Sequence, residues 1–320
     1  MNVLFLQGIP DNQKVILLSI NNPFSFDAGG SCNVYNHIDE SNFKKHSLTL
    51  NIKQGIGITI QNIDLIFNQI SDNDTHSITL SKVASLIQKF NLKCINHPKY
   101  ISQTTRESIY LKLKKIPQIS MPKTIRIQSK TPSDIFLKIQ ENDLRYPIIL
   151  REAGAHGGVT THLVHSNNEI QNLYAIPLDG RDYYLTQYKN CMNEDGLFQK
   201  MRLVIINGEA FIRHCISSKE WMVHAQNRVE NSENLEIKIL ESFESFIKPK
   251  IDSTIQDIYR EIKLEYFGID CYIDKNMRLT IFEINANMNI LIKSKNYTDK
   301  YTQKIRDAVS KMIQNKLYNS

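Results

Sequence analysis

Nowhere does this chain hold an apolar run of the roughly 18 residues that a membrane helix needs, so no membrane partner is expected. It also lacks the dense Lys/Arg runs of nucleic-acid-binding tails. A net charge of +6 over 320 residues is mild, which argues against a nucleic-acid partner yet suits an anionic ligand. Cysteine is sparse: five residues, at 32, 94, 191, 215 and 271, are scattered, odd in number and form no CxxC pair. That pattern disfavours a disulfide framework and a zinc site, and fits reduced thiols in a cytoplasmic protein. The opening MNVLFLQGIPDNQ has neither the basic segment nor the long apolar stretch of a secretory leader, so none is expected. No tetratricopeptide period is visible, and the single tryptophan is Trp221.

What is there is a soluble globular composition, 41% hydrophobic and 22% charged, in a chain long enough for two to three lobes. Residues 1–117 read as an α/β lobe. Strands are expected at Val15–Ile20, Leu48–Ile52, Ile63–Ile70 and Lys93–Asn96. Helices are expected at Ser81–Phe90 and Thr105–Lys115, and a turn at Asp72-Asn73-Asp74. Strands alternating with helices imply a partly parallel sheet. Asp27-Ala28-Gly29-Gly30-Ser31 is either a plain tight loop or a ligand loop at a strand end.

Residues 118–190 read as a small α+β lobe: strand Thr124–Ile127, helix Pro132–Glu141 with Ser133 or Asp134 near its start as caps, and strand Pro147–Arg151. A glycine-rich loop, Glu152–Gly158, then leads to strands Val159–Val164 and Tyr183–Lys189. A strand–glycine loop–strand unit can bring backbone N–H groups onto phosphate oxygens, and Arg151 adds a fixed charge at the strand end. Many such loops are plain turns.

Residues 191–320 carry two hairpins. Asn207-Gly208 between Met201–Ile206 and Ala210–Cys215 is a strong hairpin signal, and it makes Arg202 and Arg213 cross-strand neighbours. Two such arginines either hold an anion between them or pair with acids in solvent. Helices are expected at Leu235–Ile247 and Ser253–Ile262, and a basic amphipathic docking helix at Thr298–Leu317. The second hairpin turns at Lys275-Asn276. Asp270 lies on its first strand, with Glu283 and Asn285 on the return strand. Residues two apart share a face, so the three polar tips can converge. They form either a hard-oxygen site suited to Mg²⁺ or a solvated face with unrelated polar residues.

This second hairpin resembles the end of the catalytic core in the ATP-grasp superfamily, where an Asp on one strand and Glu-x-Asn on the next hold Mg²⁺ against ATP. The usual Pro-Gly after the Asn is replaced here by Ala286-Asn287-Met288-Asn289, which makes Asn287 and Asn289 candidates for a further ligand. Over about residues 95–291 the chain is also similar to one little-described ATP-grasp group, sometimes fused to tetratricopeptide repeats. The matches are Arg151, Gly154, His156, Gly157, Gly158, Asp195, Gly196, Lys200, Arg202, His214, Trp221, His224, Glu283 and Asn285.

The resemblance implies an ATP-grasp fold, α/β and α+β, with an N-terminal pre-ATP-grasp lobe (1–117), a small lobe with a glycine flap (118–190) and a C-terminal catalytic lobe (191–320). It implies ATP with Mg²⁺ (or Mn²⁺) on Asp270, Glu283 and Asn285. Arg151, His156, Gly157 and Gly158 would lie at the phosphates, with Arg106, Lys112 or Lys114 as the ATP-contacting base. Gln187, Tyr188 and Lys189 would lie at the adenine. Arg202 and Arg213 would serve the γ-phosphate and an acyl phosphate, and His214 or His224 would take a proton. Trp221, Met222 and His224 would line an acceptor pocket. The implied activity joins a small-molecule or peptide carboxylate to an amine or thiol. A kinase acting on an alcohol and a non-catalytic nucleotide-binding protein remain as alternatives, and a homodimer is left open.

Overall fold

The computed structural model describes residues 1–19, 25–27, 29–39, 42–51, 60–155, 158, 160–171, 176–230, 232–288 and 296–318. The N-terminal sheet is wholly parallel, in the order Lys44–Leu50, Asn2–Gly8, Leu65–Asn68, Lys93–Ile95. Its central strands are continuous apolar runs because both faces are covered; Val3, Leu4, Phe5 and Leu6 are all fully buried. The helix expected from Ser81 begins at Asn73 instead and runs to Phe90. Asp72-Asn73-Asp74 is therefore a helix start, not a separate turn: Asp72 Oδ1 caps it by accepting the Asp74 N–H at 2.8 Å. The helix kinks at His76. Beyond the kink Asp11 acts as a second cap, accepting the N–H groups of Ile78 and Thr79.

The small lobe is an antiparallel sheet in the order Thr161–Val164, Ile148–Glu152, Asp182–Gln187, Thr124–Gln128. Helix Pro132–Glu141 is capped by Thr131, two residues earlier than Ser133, with Asp134 reciprocating in a capping box. Its apolar cluster, which includes Ile127, Ile135, Leu150, Tyr183 and Leu185, draws only on this lobe.

The C-terminal sheet runs Glu209–Ser218, Phe198–Ile206, Tyr266–Ile273, Leu279–Ala286, Ile119–Ser120. Both residues of the Asn207-Gly208 turn have positive φ, 49° and 86°, as a type I′ hairpin requires. Helix Lys248–Ile262 buries Ile251, Ile255, Ile258 and Ile262. Helix Asn296–Tyr318 docks through Ile305, Val309, Met312 and Ile313. Two apolar clusters combine residues of the N-terminal and C-terminal sheets, such as Leu6 with Leu203 and Phe5 with Tyr266. Among the described residues no helix is long and apolar enough to cross a membrane.

Two bulges decide which side chains face inward. A one-residue slip reverses every side chain beyond it. In the first hairpin Arg202 pairs with His214 and Leu203 with Ile212, so Arg213 is the extra residue and His214, not Arg213, is the direct neighbour of Arg202. In the second, Cys271 pairs with Ile281 but Asp270 with Glu283, so Phe282 is extra. Without that bulge Asp270 would oppose Phe282, and Glu283 and Asn285 would turn to the other face.

Candidate active site

The bulges build one transverse row across four strands: His214, Arg202, Asp270 and Glu283 are successive cross-strand partners. Asn285, opposite Gly268, shares the face of Glu283. Arg202 grips Asp270 with two hydrogen bonds, Nε to Oδ1 at 2.7 Å and Nη2 to Oδ2 at 2.8 Å. Lys200, two residues back on the same strand, lies 3.4 Å from Asp270 Oδ2. Glu283 accepts from Asn285 Nδ2 at 2.6 Å and from Arg106, with Arg151 at 3.9 Å. Arg106 opens helix Arg106–Leu113 and also donates to the Phe282 carbonyl. Lys112 instead donates to the Glu261 carbonyl, and neither it nor Lys114 lines the cavity.

Arg202, Asp270 and Glu283 of this row line a cavity of about 810 Å³ walled by the small and C-terminal sheets and by loops around them, among them Ser71–Asp74, a volume suited to a nucleotide-sized ligand. The charges are tightly coupled. Burial opposes ionisation of Glu283, but Arg106 and Arg151, the Asn285 amide and Arg202 overcome it and hold the carboxyl well below the usual range. Burial, then Arg106, pull Arg151 down to about 10. Burial lowers Arg202, yet Asp270 more than restores it. The guanidinium groups can face a polyanion, and Asp270, Glu283 and Asn285 put oxygen donors of the kind a hard cation takes on one face.

Of the other sequence candidates, Gly158, Gln187, Tyr188, Lys189 and His224 line the cavity, whereas Arg213 and His214 do not. The bulge moves Arg213 off the row; it is buried, and Arg202, Asp299 and Glu236 act on its charge. His214 is in the row but its Nε2 is buried without a hydrogen bond, and burial followed by Arg202 pushes its pKa well below the ordinary value. His224 is lowered by burial and Lys200. His156 and Gly157 lie outside the described residues, as does Asn289. Gln187 uses its amide on the Arg145 backbone, and its N–H on the Lys123 carbonyl. Lys189 bonds Ser120 Oγ. Asn287 is committed elsewhere as well: it accepts from Asn96 Nδ2 at 2.6 Å and donates to the Ile70 carbonyl at 2.8 Å. It thus joins the N-terminal and C-terminal sheets and is not a further metal ligand.

Sequence reasoning missed the contribution of the N-terminal lobe. Arg126 looks like an ordinary strand residue, yet it bonds Glu107 and Asp182 at 2.8 Å each, together with Asp74 and Tyr184. That cluster ties the small lobe to the start of helix Asn73–Phe90 beside the cavity. Its partners are remote in sequence, so no local pattern signals it. Asp72 and Asp74 line the cavity, and the signal that could have found them was a helix start, with Asp72 as its cap and Asp74 in its first turn.

No protein-family model matches the chain, and no curated protein matches its sequence. Solved structures do match. D-alanine–D-alanine ligase from Bacillus anthracis, complexed with ATP, aligns over 99% of this chain and 97% of its own at 12% identity and TM-score 0.62. D-alanyl-alanine synthetase A from Vibrio cholerae aligns over 100% and 99% at 12% identity and TM-score 0.63. An ATP-grasp RimK domain protein from Sphaerobacter thermophilus aligns over 98% and 99% at 9% identity and TM-score 0.55. The chain therefore has the ATP-grasp fold, as the sequence resemblance implied.

Proposed function

We propose that the protein is an ATP-dependent ligase that joins a carboxylate to an amine, with an acyl phosphate as intermediate and ADP and phosphate as products. The observation that carries this reading is the row Arg202–Asp270–Glu283, joined by Asn285 and faced by Arg106 and Arg151, in a cavity between the lobes. In this reading the lobes run 1–117, 118–190 and 191–320. The solved structures that share the fold at full length include ligases of small amino acids, one of them bound to ATP.

The three oxygen donors on one face fit Mg²⁺, which takes one or two carboxylates and leaves its remaining positions to water and phosphate. When bound, the ion would neutralise phosphate charge. The protein's own part is positioning and electrostatic stabilisation. Arg151 and Arg106, now on Glu283, would turn to the nucleotide phosphates, and the Gly157/Gly158 flap would cover them. Arg202 and Lys200 would hold the transferring phosphoryl group while a carboxylate oxygen of the substrate attacks Pγ and ADP leaves. The amine then attacks the acyl carbon, phosphate departs, and the amine proton passes to a base. His224, kept neutral and lining the cavity, is the candidate for that base.

The test is ADP release from MgATP by the purified protein with pooled amino acids, peptides and small carboxylic acids, beside Glu283→Gln. Substrate-stimulated ADP release should fall by about 10³-fold or more in the variant, with its fold intact by circular dichroism. Full activity in the variant overturns the metal assignment. Hydroxylamine should trap the acyl phosphate as a hydroxamate. Stimulated ADP release without a hydroxamate would point to an alcohol kinase.

A further inference from the structure

The loop after strand Glu209–Ser218 touches the small lobe at two residues that line the cavity, Tyr188 and Gly158. Trp221 meets the ring of Tyr188 edge-on, with centroids 6.1 Å apart, at the end of strand Asp182–Gln187. One and three residues later, Met222 and His224 meet the glycine flap. A methyl group on Gly158 would come within 2.9 Å of His224 Nε2 and 3.1 Å of Met222 Sδ, and Gly158 has φ +77°. Only a residue without a Cβ allows so close a seat. A short segment after strand Glu209–Ser218 thus contacts both Tyr188 and Gly158.

The segment has no regular structure, and Val223 packs it onto Phe198 and Ile216. Asn227 holds it: its Oδ1 accepts the His224 N–H at 2.7 Å, and its Nδ2 donates to the Met222 carbonyl at 2.7 Å and to Glu220 Oε2 at 3.0 Å. One amide therefore satisfies three groups, which is the arrangement that orders a loop.

We propose that Asn227 is a positioning residue, and that the Trp221–His224 segment it pins is a strut setting how far the small lobe closes over the nucleotide. This rests on the nucleotide-binding part of the function proposed above. The strut acts through contacts made only when the lobes are together, so unpinning it should weaken nucleotide binding and lid closure more than it weakens the fold.

The experiment measures three quantities in the full-length chain with and without MgATP: the dissociation constant, hydrogen-exchange protection of the flap around Gly154–Thr161, and emission of Trp221, the only tryptophan. In the unaltered protein MgATP should protect the flap and shift the emission. Asn227→Ala should bind MgATP about tenfold more weakly, equivalent to ~1.4 kcal/mol, and lose most flap protection while its nucleotide-free melting temperature stays close to the original. A lowered melting temperature with unchanged affinity and protection would make Asn227 merely structural and overturn the proposal. Should Asn227→Ala not fold, Asn227→Asp keeps the acceptor for the His224 N–H and loses the bonds donated to the Met222 carbonyl and Glu220. It should show the same weakened affinity and protection, and an unchanged value there also overturns the strut. Failure of the unaltered protein to bind MgATP is a separate result, which overturns the proposed function itself.

Discussion

The small lobe and the rest of the molecule are held by different physics. The N-terminal and C-terminal sheets share two apolar clusters, in which Leu4, Leu6, Leu203 and Phe267 pack together and helix Asn296–Tyr318 seals the seam. A buried amide set reinforces it, with Asn96 bonding the Tyr266 carbonyl and Asn287. The small lobe has its own core and meets its neighbours through polar contacts: Arg126 with Asp74 and Glu107, and Arg151 with Glu283. Apolar burial is non-directional and resists separation, whereas partly exposed ion pairs exchange readily with water and ligands. The comparison marks the weaker joint: an apolar seam holds the N-terminal and C-terminal sheets together, while ion pairs hold the small sheet beside the cavity.

The largest effect expected from breaking this contrast is in the cores. Phe267→Ala removes a fully buried side chain from the shared cluster and should cost about 3–5 kcal/mol, lowering the melting of the whole body formed by the first and third lobes. Leu185→Ala, at about 2–5 kcal/mol, should appear by calorimetry as an early transition confined to the small lobe. A single shared transition in both variants would contradict the division.

A smaller effect is expected at the polar joint. Arg126→Gln leaves Asp74, Glu107 and Asp182 without their shared cation and should disfavour closure by about 1–2 kcal/mol. Faster proteolysis of the flap should report it, while the melting temperature moves little. In the unaltered protein, raising salt should reproduce part of that effect, and flap cleavage insensitive to both would show that the joint is not ionic.

The smallest effect concerns pH. His214 has its native pKa depressed by burial and by Arg202 and Arg213. The unfolded chain therefore takes up this proton first on acidification. The stability linked to it is fully present above about pH 6.5 and is lost as pH falls from there toward the native value, by at most ~1.4 kcal/mol per pH unit. His214→Gln should flatten that slope in thermal melts below about pH 6.5; an unchanged slope would assign it to other groups, His224 included.

Much of the architecture was legible in order along the chain, because apolar periodicity and turn chemistry are local. The Asn207-Gly208 and Lys275-Asn276 turns, the strand Ile148–Glu152 before the glycine loop and the docking helix at the C-terminal end all stand where the sequence puts them. So did the grouping of Asp270, Glu283 and Asn285 on one face, although the sequence did not contain the reason. Only the extra residue Phe282 turns the return strand so that Glu283 meets Asp270. The matching bulge at Arg213 undoes a pairing that simple alternation predicts.

The sequence by itself determined the elements, the hairpins and the chemical types on them, since each follows from neighbours within a few residues. The tertiary structure decided the rest. It chose which face each carboxylate takes, because register depends on bulges that no local pattern marks. It brought Arg106, Arg126 and Arg151 onto acids far away in the chain, because charge pairing across lobes depends on how the sheets pack. It also turned Asn287 from a candidate ligand into a tie between two sheets, because a buried amide goes to whichever partners surround it.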